Sequence, residues 1–159
     1  MSKIIRYGVI GAGSIALHRH LPECKANPAS EVVAIADVVR ARAAERTEQF
    51  GGTPYADWKK MLAKENLDAV VVATPNYLHA PMAIAALKSG RHVLVEKPMA
   101  TTRGDARKMI AAAKKAKRHL MVGMNQRLMP AHVKAKQVLD RGELGRVLAF
   151  ETSFKHGGP

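Results

Sequence analysis

Two charged side chains, Glu96 and Lys97, stand between an apolar run, Val93–Val95, and a proline, Pro98. The apolar run predicts a buried strand, and a lysine at the end of such a strand can hold a reacting oxygen and transfer a proton. Pro98 disfavours helical geometry at Lys97 and has no backbone N–H, so the chain is expected to leave the strand extended. Taken alone, these residues fit a solvated strand end better than a catalytic cleft. The cleft interpretation requires other polar groups at the same place.

A glycine-rich stretch near the start of the chain, GVIGAGSIA, predicts such a place. Gly11, Gly13 and Ala16 fit the pattern G-x-G-x-x-G/A, between a predicted strand and a predicted helix as the pattern requires. Gly11 permits a tight turn, Gly13 lets the backbone approach a pyrophosphate, and Ala16 allows close packing of helix against strand. Ser14 and Ile15 begin the helix, whose free amides can bind phosphate. Simple packing is the alternative explanation for these small residues.

An acid at the end of the predicted second strand, Glu31–Asp37, supports dinucleotide binding. Asp37 lies roughly 20 residues beyond the glycine motif, where such domains place the carboxylate that accepts the ribose hydroxyls. The same carboxylate repels a 2′-phosphate and therefore favours NAD. Arg40 and Arg42 follow and could pair with a 2′-phosphate, so NADP stays open as the alternative cofactor. Asp37 could also serve only as a cap for the following helix.

Further polar clusters follow the later predicted strands. The segment TPNYLHAP comes after Ala69–Ala73, and MNQR comes at the end of Leu120–Gly123. The carboxyl ends of parallel strands meet at one edge of a sheet, and open α/β sheets bind their ligands there. Together with Glu96 and Lys97, these clusters predict a ligand crevice at that edge.

The stretches GVIGAGSIA, ATPNYLHAP, EKP and GMNQR, in this order and spacing, resemble the N-terminal half of the Gfo/Idh/MocA (glucose–fructose oxidoreductase, inositol dehydrogenase, rhizopine catabolism) family. The resemblance covers essentially the whole chain. It implies a domain that binds NAD or NADP, in an enzyme that oxidises or reduces a hydroxyl or carbonyl of sugars, cyclitols or related polyols.

The resemblance also implies roles for particular residues. Lys97 would be the catalytic lysine between nicotinamide and substrate, and Glu96 would orient the cofactor end. The other residues that it implies for the cofactor cleft and its rim are Thr74, Asn76, His79, Gln126 and Arg127.

Strands and helices alternate along the chain, which predicts an α/β fold with a Rossmann-type doubly wound parallel sheet. The predicted strands are Ile4–Ile10, Glu31–Asp37, Ala69–Ala73, Val93–Val95 and Leu120–Gly123. The predicted helices are Ser14–Ala26, Arg40–Phe50, and three that begin at the caps Asp57, Asn76 and Thr102.

The predicted domain boundary divides residues 1–124, the NAD(P)-binding domain, from residues 125–159. The second part is expected to contain a connecting helix, Pro130–Arg141, and one strand, Gly145–Phe154, of a truncated α+β domain. The resemblance implies that this domain carries substrate contacts, the usual catalytic histidine and most subunit contacts. A lone strand leaves backbone groups unpaired, so we expect this segment to be disordered, to fold back onto a sheet edge, or to pair with a second copy in a homo-oligomer through this strand.

Composition narrows the remaining function classes. The net charge of +13, from 26 Lys and Arg against 13 Asp and Glu, raises nucleic-acid binding as an alternative. The basic excess falls mainly on the predicted helix after Thr102, whose apolar stripe makes a solvated outer face the simpler explanation, and 4% aromatic residues give no stacking platform. No apolar run reaches the length of a membrane span, and the histidines lack metal-ligand spacing.

The single cysteine fits a reducing, cytoplasmic environment. The leading expectation is therefore a cofactor-binding half of an oxidoreductase that binds NAD(P) without turnover by itself. A stand-alone dinucleotide-binding regulatory module is the main alternative, and a basic nucleic-acid-binding protein is the weaker one.

Overall fold

Six parallel strands form one sheet in the order β3-β2-β1-β4-β5-β6, in a computed structural model that describes residues 4–153. The strand order reverses between β1 and β4, as in the doubly wound Rossmann fold, so the predicted fold class is confirmed. The strands are β1 (Ile5–Ile10), β2 (Ser30–Ala36), β3 (Thr53–Tyr55), β4 (Ala69–Val72), β5 (His92–Val95) and β6 (Leu120–Val122).

Helices connect the strands. The first begins at Ser14 and contains a π-helical segment, Ala16–His20, before it continues as α1. The α-helices are α1 (Leu21–Ala26), α2 (Arg40–Phe50), α3 (Trp58–Lys64), α4 (His79–Lys88), α5 (Arg103–Ala116) and α6 (Pro130–Asp140).

The central strand β4 is buried along its whole length. Successive side chains of a strand point to opposite faces of the sheet. Val70 and Val72 accordingly belong to one cluster of buried apolar residues, and Val71 to another that includes Val9 and Ile35. A continuous run of valines therefore packs against both faces, which is the arrangement that parallel sheets require.

Local capping explains where several helices begin. The Thr102 hydroxyl accepts a hydrogen bond from the Asp105 amide at 3.0 Å, and the Asp57 carboxylate accepts one from the Lys59 amide at 2.8 Å. Both predicted caps are confirmed. The predicted cap at Asn76 is wrong, because this residue begins a 3₁₀ turn, Asn76–Leu78, and α4 starts without a side-chain cap.

No sequence pattern indicated β3, a three-residue strand at the edge of the sheet. It contains Pro54, which cannot donate a hydrogen bond to a neighbour and is tolerated at an edge. Such a short strand with a proline has no periodic pattern to detect.

The chain divides into two units, Met1–Gly123 and Met124–Pro159. In the second, a 3₁₀ turn, Asn125–Leu128, precedes α6, which confirms the predicted helix. The predicted strand from Gly145 is wrong over residues 145–153, which are irregular, and Phe154 lies outside the described residues. Val147, Leu148 and Phe150 are exposed there, and no neighbouring strand pairs with this segment in the described part of the chain.

Within residues 4–153, no helix is long and apolar enough to cross a membrane. In the same range, no three or more His, Cys, Asp or Glu side chains are grouped so that they could hold a metal ion.

Candidate cofactor site

A cavity of about 440 Å³ opens at the carboxyl ends of β1 and β4, where the strand order reverses. This is the position at which open α/β sheets bind dinucleotides, and the volume lies within the roughly 300–1,000 Å³ of small-molecule sites. Its lining includes six residues that the sequence singled out, which are Gly11, Gly13, Ser14, Ile15, Asp37 and Thr74.

The two glycines of the turn have different structural roles. Gly11 has a φ of 96°, and a Cβ atom built there would lie 2.4 Å from the carbonyl oxygen of Ala73. A Cβ built at Gly13 would meet no atom within 4 Å, because it would project into open space. Gly11 therefore permits the turn, whereas Gly13 keeps the cavity clear for a ligand.

The Asp37 carboxylate fixes the glycine-rich turn against the end of β2. Its Oδ2 accepts a hydrogen bond from the Ala12 amide at 2.9 Å, and its Oδ1 accepts one from the Val39 amide at 2.8 Å. Arg42 Nη1 lies 3.3 Å from Oδ2, and Asp37 is only 9% exposed. Asp37 thus lines the cavity with its charge balanced by Arg42, a partly exposed arginine that a 2′-phosphate could also attract.

The Glu96–Lys97 turn follows β5, the neighbour of β4 in the sheet. Lys97 is exposed, its amide donates to Glu96 Oε2 at 3.0 Å, and its peptide bond to Pro98 is cis. The other carboxylate oxygen of Glu96 lies 2.9 Å from His20 Nε2. Glu96 is therefore bonded to its own turn and to the first helix.

His79, which the resemblance placed in the cofactor cleft, has no accessible surface. Its Nδ1 lies 2.7 Å from the Pro98 carbonyl oxygen, and its Nε2 lies 2.9 Å from that of Thr74. A neutral ring donates to one of these oxygens and a doubly protonated ring to both. The expectation that the His79 side chain contacts the cofactor is therefore wrong, because the ring is inaccessible and both of its nitrogens have partners in the loops after β4 and β5.

Replacing His79 by leucine should lower the free energy of unfolding, because the buried ring loses its hydrogen bonding to the carbonyl oxygens of Thr74 and Pro98. An intramolecular hydrogen bond contributes about 0.5–1.5 kcal/mol. Urea unfolding followed by circular dichroism measures the change. The exposed His18 gives the matched control, since His18→Leu should change stability by no more than about 0.5 kcal/mol. A His79→Leu protein as stable as the control would show that these bonds contribute nothing.

Four predicted cofactor residues lie outside the cavity lining, namely His79 and Glu96, described above, and Asn76 and Gln126. Asn76 is exposed at the start of its 3₁₀ turn. Gln126 belongs to the second unit, where its carbonyl oxygen lies 2.6 Å from His132 Nδ1. Their contacts with a cofactor stay predictions, as does the place of Arg127 at the rim.

Sequence reasoning missed several side chains of the site. The apolar lining includes Val38, Trp58 and Tyr77. Val38 and Tyr77 are 85% and 70% exposed, so a ligand in the cavity would cover apolar surface that the described part of the chain leaves open. Their positions directly after Asp37 and within TPNYLHAP were the signal that could have identified them.

Comparison with known proteins relates this site to sugar oxidoreductases. Residues 5–124 match the Gfo/Idh/MocA family model, described as an oxidoreductase family with an NAD-binding Rossmann fold. The chain is 40% identical over 150 residues to dTDP-3,4-didehydro-2,6-dideoxy-alpha-D-glucose 3-reductase of Actinomadura kijaniata. That alignment covers 94% of this chain and 45% of the reductase, so the chain spans about half the length of its relative.

Two solved structures carry nicotinamide cofactors. The 3-ketoreductase KijD10 from Actinomadura kijaniata, in complex with NADP and TDP-benzene, has a TM-score of 0.82 and 40% identity over 88% of this chain and 43% of that one. The WlbA dehydrogenase from Bordetella pertussis, in complex with NADH and UDP-GlcNAcA, has a TM-score of 0.86 and 33% identity over 91% of this chain and 44% of that one.

Proposed function

Because this chain belongs to the Gfo/Idh/MocA oxidoreductase family, we propose that it is the NAD(P)-binding part of an enzyme that acts on a sugar, cyclitol or related polyol. The reaction is hydride transfer between nicotinamide and a hydroxyl or carbonyl carbon. The observation that carries the proposal is the open space over Gly13, at the carboxyl ends of β1 and β4. A side chain would fill this space, and a pyrophosphate fits it.

Different residues of this chain bind different parts of the cofactor. The amides of Ser14 and Ile15, at the start of the first helix, face phosphate, and Asp37 accepts the hydroxyls of the adenosine ribose. The nicotinamide, when bound, supplies the hydride chemistry. Lys97, at the end of β5, binds the reacting oxygen of the substrate and exchanges a proton with that oxygen. Relatives that bind NADP as well as NADH support both cofactors as candidates.

A cofactor titration at low and at high salt tests this proposal against nucleic-acid binding. Nucleic-acid binding is the second candidate function. The observation that favours it is a basic groove between α5 and β6, whose lining includes Lys114, Lys117 and Arg118. NADH binding at the glycine-rich turn should be saturable and should persist at high salt. Binding of duplex DNA through phosphate contacts should fall steeply with salt. Calorimetry that detects DNA binding but no NADH binding would favour the nucleic-acid function.

The cofactor preference provides a further prediction. We expect NADH to bind more tightly than NADPH, because Asp37 accepts ribose hydroxyls and repels a 2′-phosphate. Asp37→Ala should weaken NADH by about tenfold or more, because a charged acceptor is lost together with its bonds to the turn. The affinity for NADPH should fall by a smaller factor, so the ratio of the two dissociation constants should move towards one.

The matched control is Asp57→Ala, which also removes a carboxylate that accepts a backbone amide, but at the start of α3. Asp57 does not belong to the cavity lining. The control should leave the ratio of dissociation constants unchanged. If Asp37→Ala also leaves that ratio unchanged, Asp37 does not select the cofactor.

A further inference from the structure

Two histidines two residues apart on the first helix have opposite environments. His18 is exposed, whereas His20 is buried and only 9% accessible. Both lie in the π-helical segment Ala16–His20, which starts three residues after Gly13 and ends where α1 begins. Single π-helical turns are uncommon and occur frequently at functional sites. The buried histidine has a partner on another loop of the same sheet edge.

The partner of His20 is Glu96. His20 Nε2 lies 2.9 Å from Glu96 Oε1, and the two side chains are 10% and 13% exposed. A carboxylate can only accept, so the hydrogen of this bond is on Nε2. Because the contact joins residues 76 positions apart, it connects the helix of the glycine-rich turn directly to the loop after β5.

The Glu96 carboxylate has two further neighbours. Its Oε2 accepts the hydrogen bond of the Lys97 amide at 3.0 Å. A Cβ atom built at Gly123, at the end of β6, would lie 3.0 Å from Oε1, so the glycine leaves room for the carboxylate. One carboxylate therefore contacts the first helix, the backbone of Lys97 and the end of β6.

We propose that His20 is a positioning residue, which holds Glu96 and thereby sets the Lys97 turn at a fixed place relative to the glycine-rich turn. The proposal rests on the proposed function, which assigns the glycine-rich turn to the pyrophosphate and the Lys97 turn to the nicotinamide end of the cofactor. His20 contributes to the nicotinamide end through Glu96 and does not contact the adenosine or the pyrophosphate. Loss of its N–H should therefore affect only the part of the cofactor near Lys97.

A comparison of two ligands distinguishes an effect on the nicotinamide end from an effect on the rest of the cofactor. NADH and ADP-ribose share adenosine, pyrophosphate and the second ribose, but only NADH carries nicotinamide. His20→Phe keeps a planar ring and removes the donor, and should weaken NADH by about tenfold, as expected for loss of a hydrogen bond to a charged group. ADP-ribose affinity should stay at the wild-type value. His20→Gln places an N–H near the position of Nε2 and should restore most of the NADH affinity.

His18→Phe is the control, since it makes the same substitution on the exposed side of the same segment, and it should change neither affinity. If His20→Phe does not fold, His20→Leu takes its place in the same comparison. Equal weakening of NADH and ADP-ribose, or no weakening of either, would overturn the positioning role. Failure of His20→Gln to recover NADH affinity would also overturn it, because shape alone would then explain the loss.

A measurement without cofactor keeps the two proposals apart. In nuclear magnetic resonance spectra of the ligand-free chain, His20→Phe should shift the Lys97 amide resonance and speed its hydrogen exchange, and His18→Phe should do neither. A wild-type chain that binds neither NADH nor ADP-ribose would contradict the proposed function, while the Lys97 amide would still decide whether His20 positions this turn. An unchanged Lys97 amide in His20→Phe would show that it does not.

Discussion

Replacing Gly13 by valine is expected to abolish NADH binding and to leave the fold intact. A Cβ atom at this position meets nothing within 4 Å, and the φ of Gly13 lies outside the left-handed region that favours glycine. The added side chain therefore strains neither the backbone nor the packing. Its branches would occupy the space over the turn in which the pyrophosphate must approach the backbone.

Gly11 provides the contrasting substitution. A Cβ at Gly11 would lie 2.4 Å from a backbone oxygen, at a φ of 96°. Gly11→Ala should therefore destabilise the protein by about 1–3 kcal/mol, the usual cost of a residue held in a sparsely populated backbone conformation. Urea unfolding and NADH titration on both variants separate stability from binding. A folded Gly13→Val protein with wild-type affinity would show that the turn serves packing alone.

The 159-residue chain is expected to bind NADH but to show negligible oxidation of sugars or cyclitols by itself. It spans 45% of the reductase of Actinomadura kijaniata, and we propose that the remainder of the enzyme positions the substrate. Orientation of two reactants can contribute roughly 7–11 kcal/mol to a barrier. Loss of that contribution should lower the rate by more than the proton transfer of Lys97 raises it. Rapid turnover by this chain, measured as NAD reduction across a panel of polyols, would contradict the proposal that another part of the enzyme positions the substrate.

A chimera joining this chain to the C-terminal part of the same reductase should recover turnover and allow Lys97 to be tested. Lys97→Ala should lower kcat by about 10²–10⁴-fold, the usual contribution of a general acid or base. The dissociation constant of NADH should stay near the wild-type value, because the lysine acts on the substrate oxygen. Lys88→Ala, at the exposed end of α4, is the control and should keep kcat. An unchanged kcat in the Lys97 variant would remove this residue from the chemistry.

The features that could be predicted from the sequence are those that depend on short, continuous stretches of residues. The valine run of β4 predicted a buried strand, and GVIGAGSIA could be placed between a strand and a helix. The carboxyl edge of a parallel sheet then brought the glycine-rich turn, Asp37 and Thr74 together, and all three line the cavity. General rules of chain connectivity were sufficient for this part of the site.

Side-chain contacts between distant loops could not be predicted in this way. The family resemblance implied that His79 lines the cofactor cleft, but its ring is buried and lies within hydrogen-bond distance of two backbone carbonyl oxygens. His20 was only one of several histidines without metal-ligand spacing, and its bond to Glu96 involves a π-helical segment that no sequence pattern indicated. These roles require coordinates, since each depends on where a backbone far along the chain comes to lie.

The assignment of the cavity is tested most directly by titrating ¹⁵N-labelled protein with NADH and following every backbone amide. Saturable shifts should be largest at the residues that line the turn and its neighbours, which are Gly11, Gly13, Ser14, Ile15, Asp37 and Thr74. The basic groove, which includes Lys114, Lys117 and Arg118, should remain unperturbed. Shifts confined to that groove, or no saturable shift at all, would contradict NAD(P) binding at the carboxyl ends of β1 and β4.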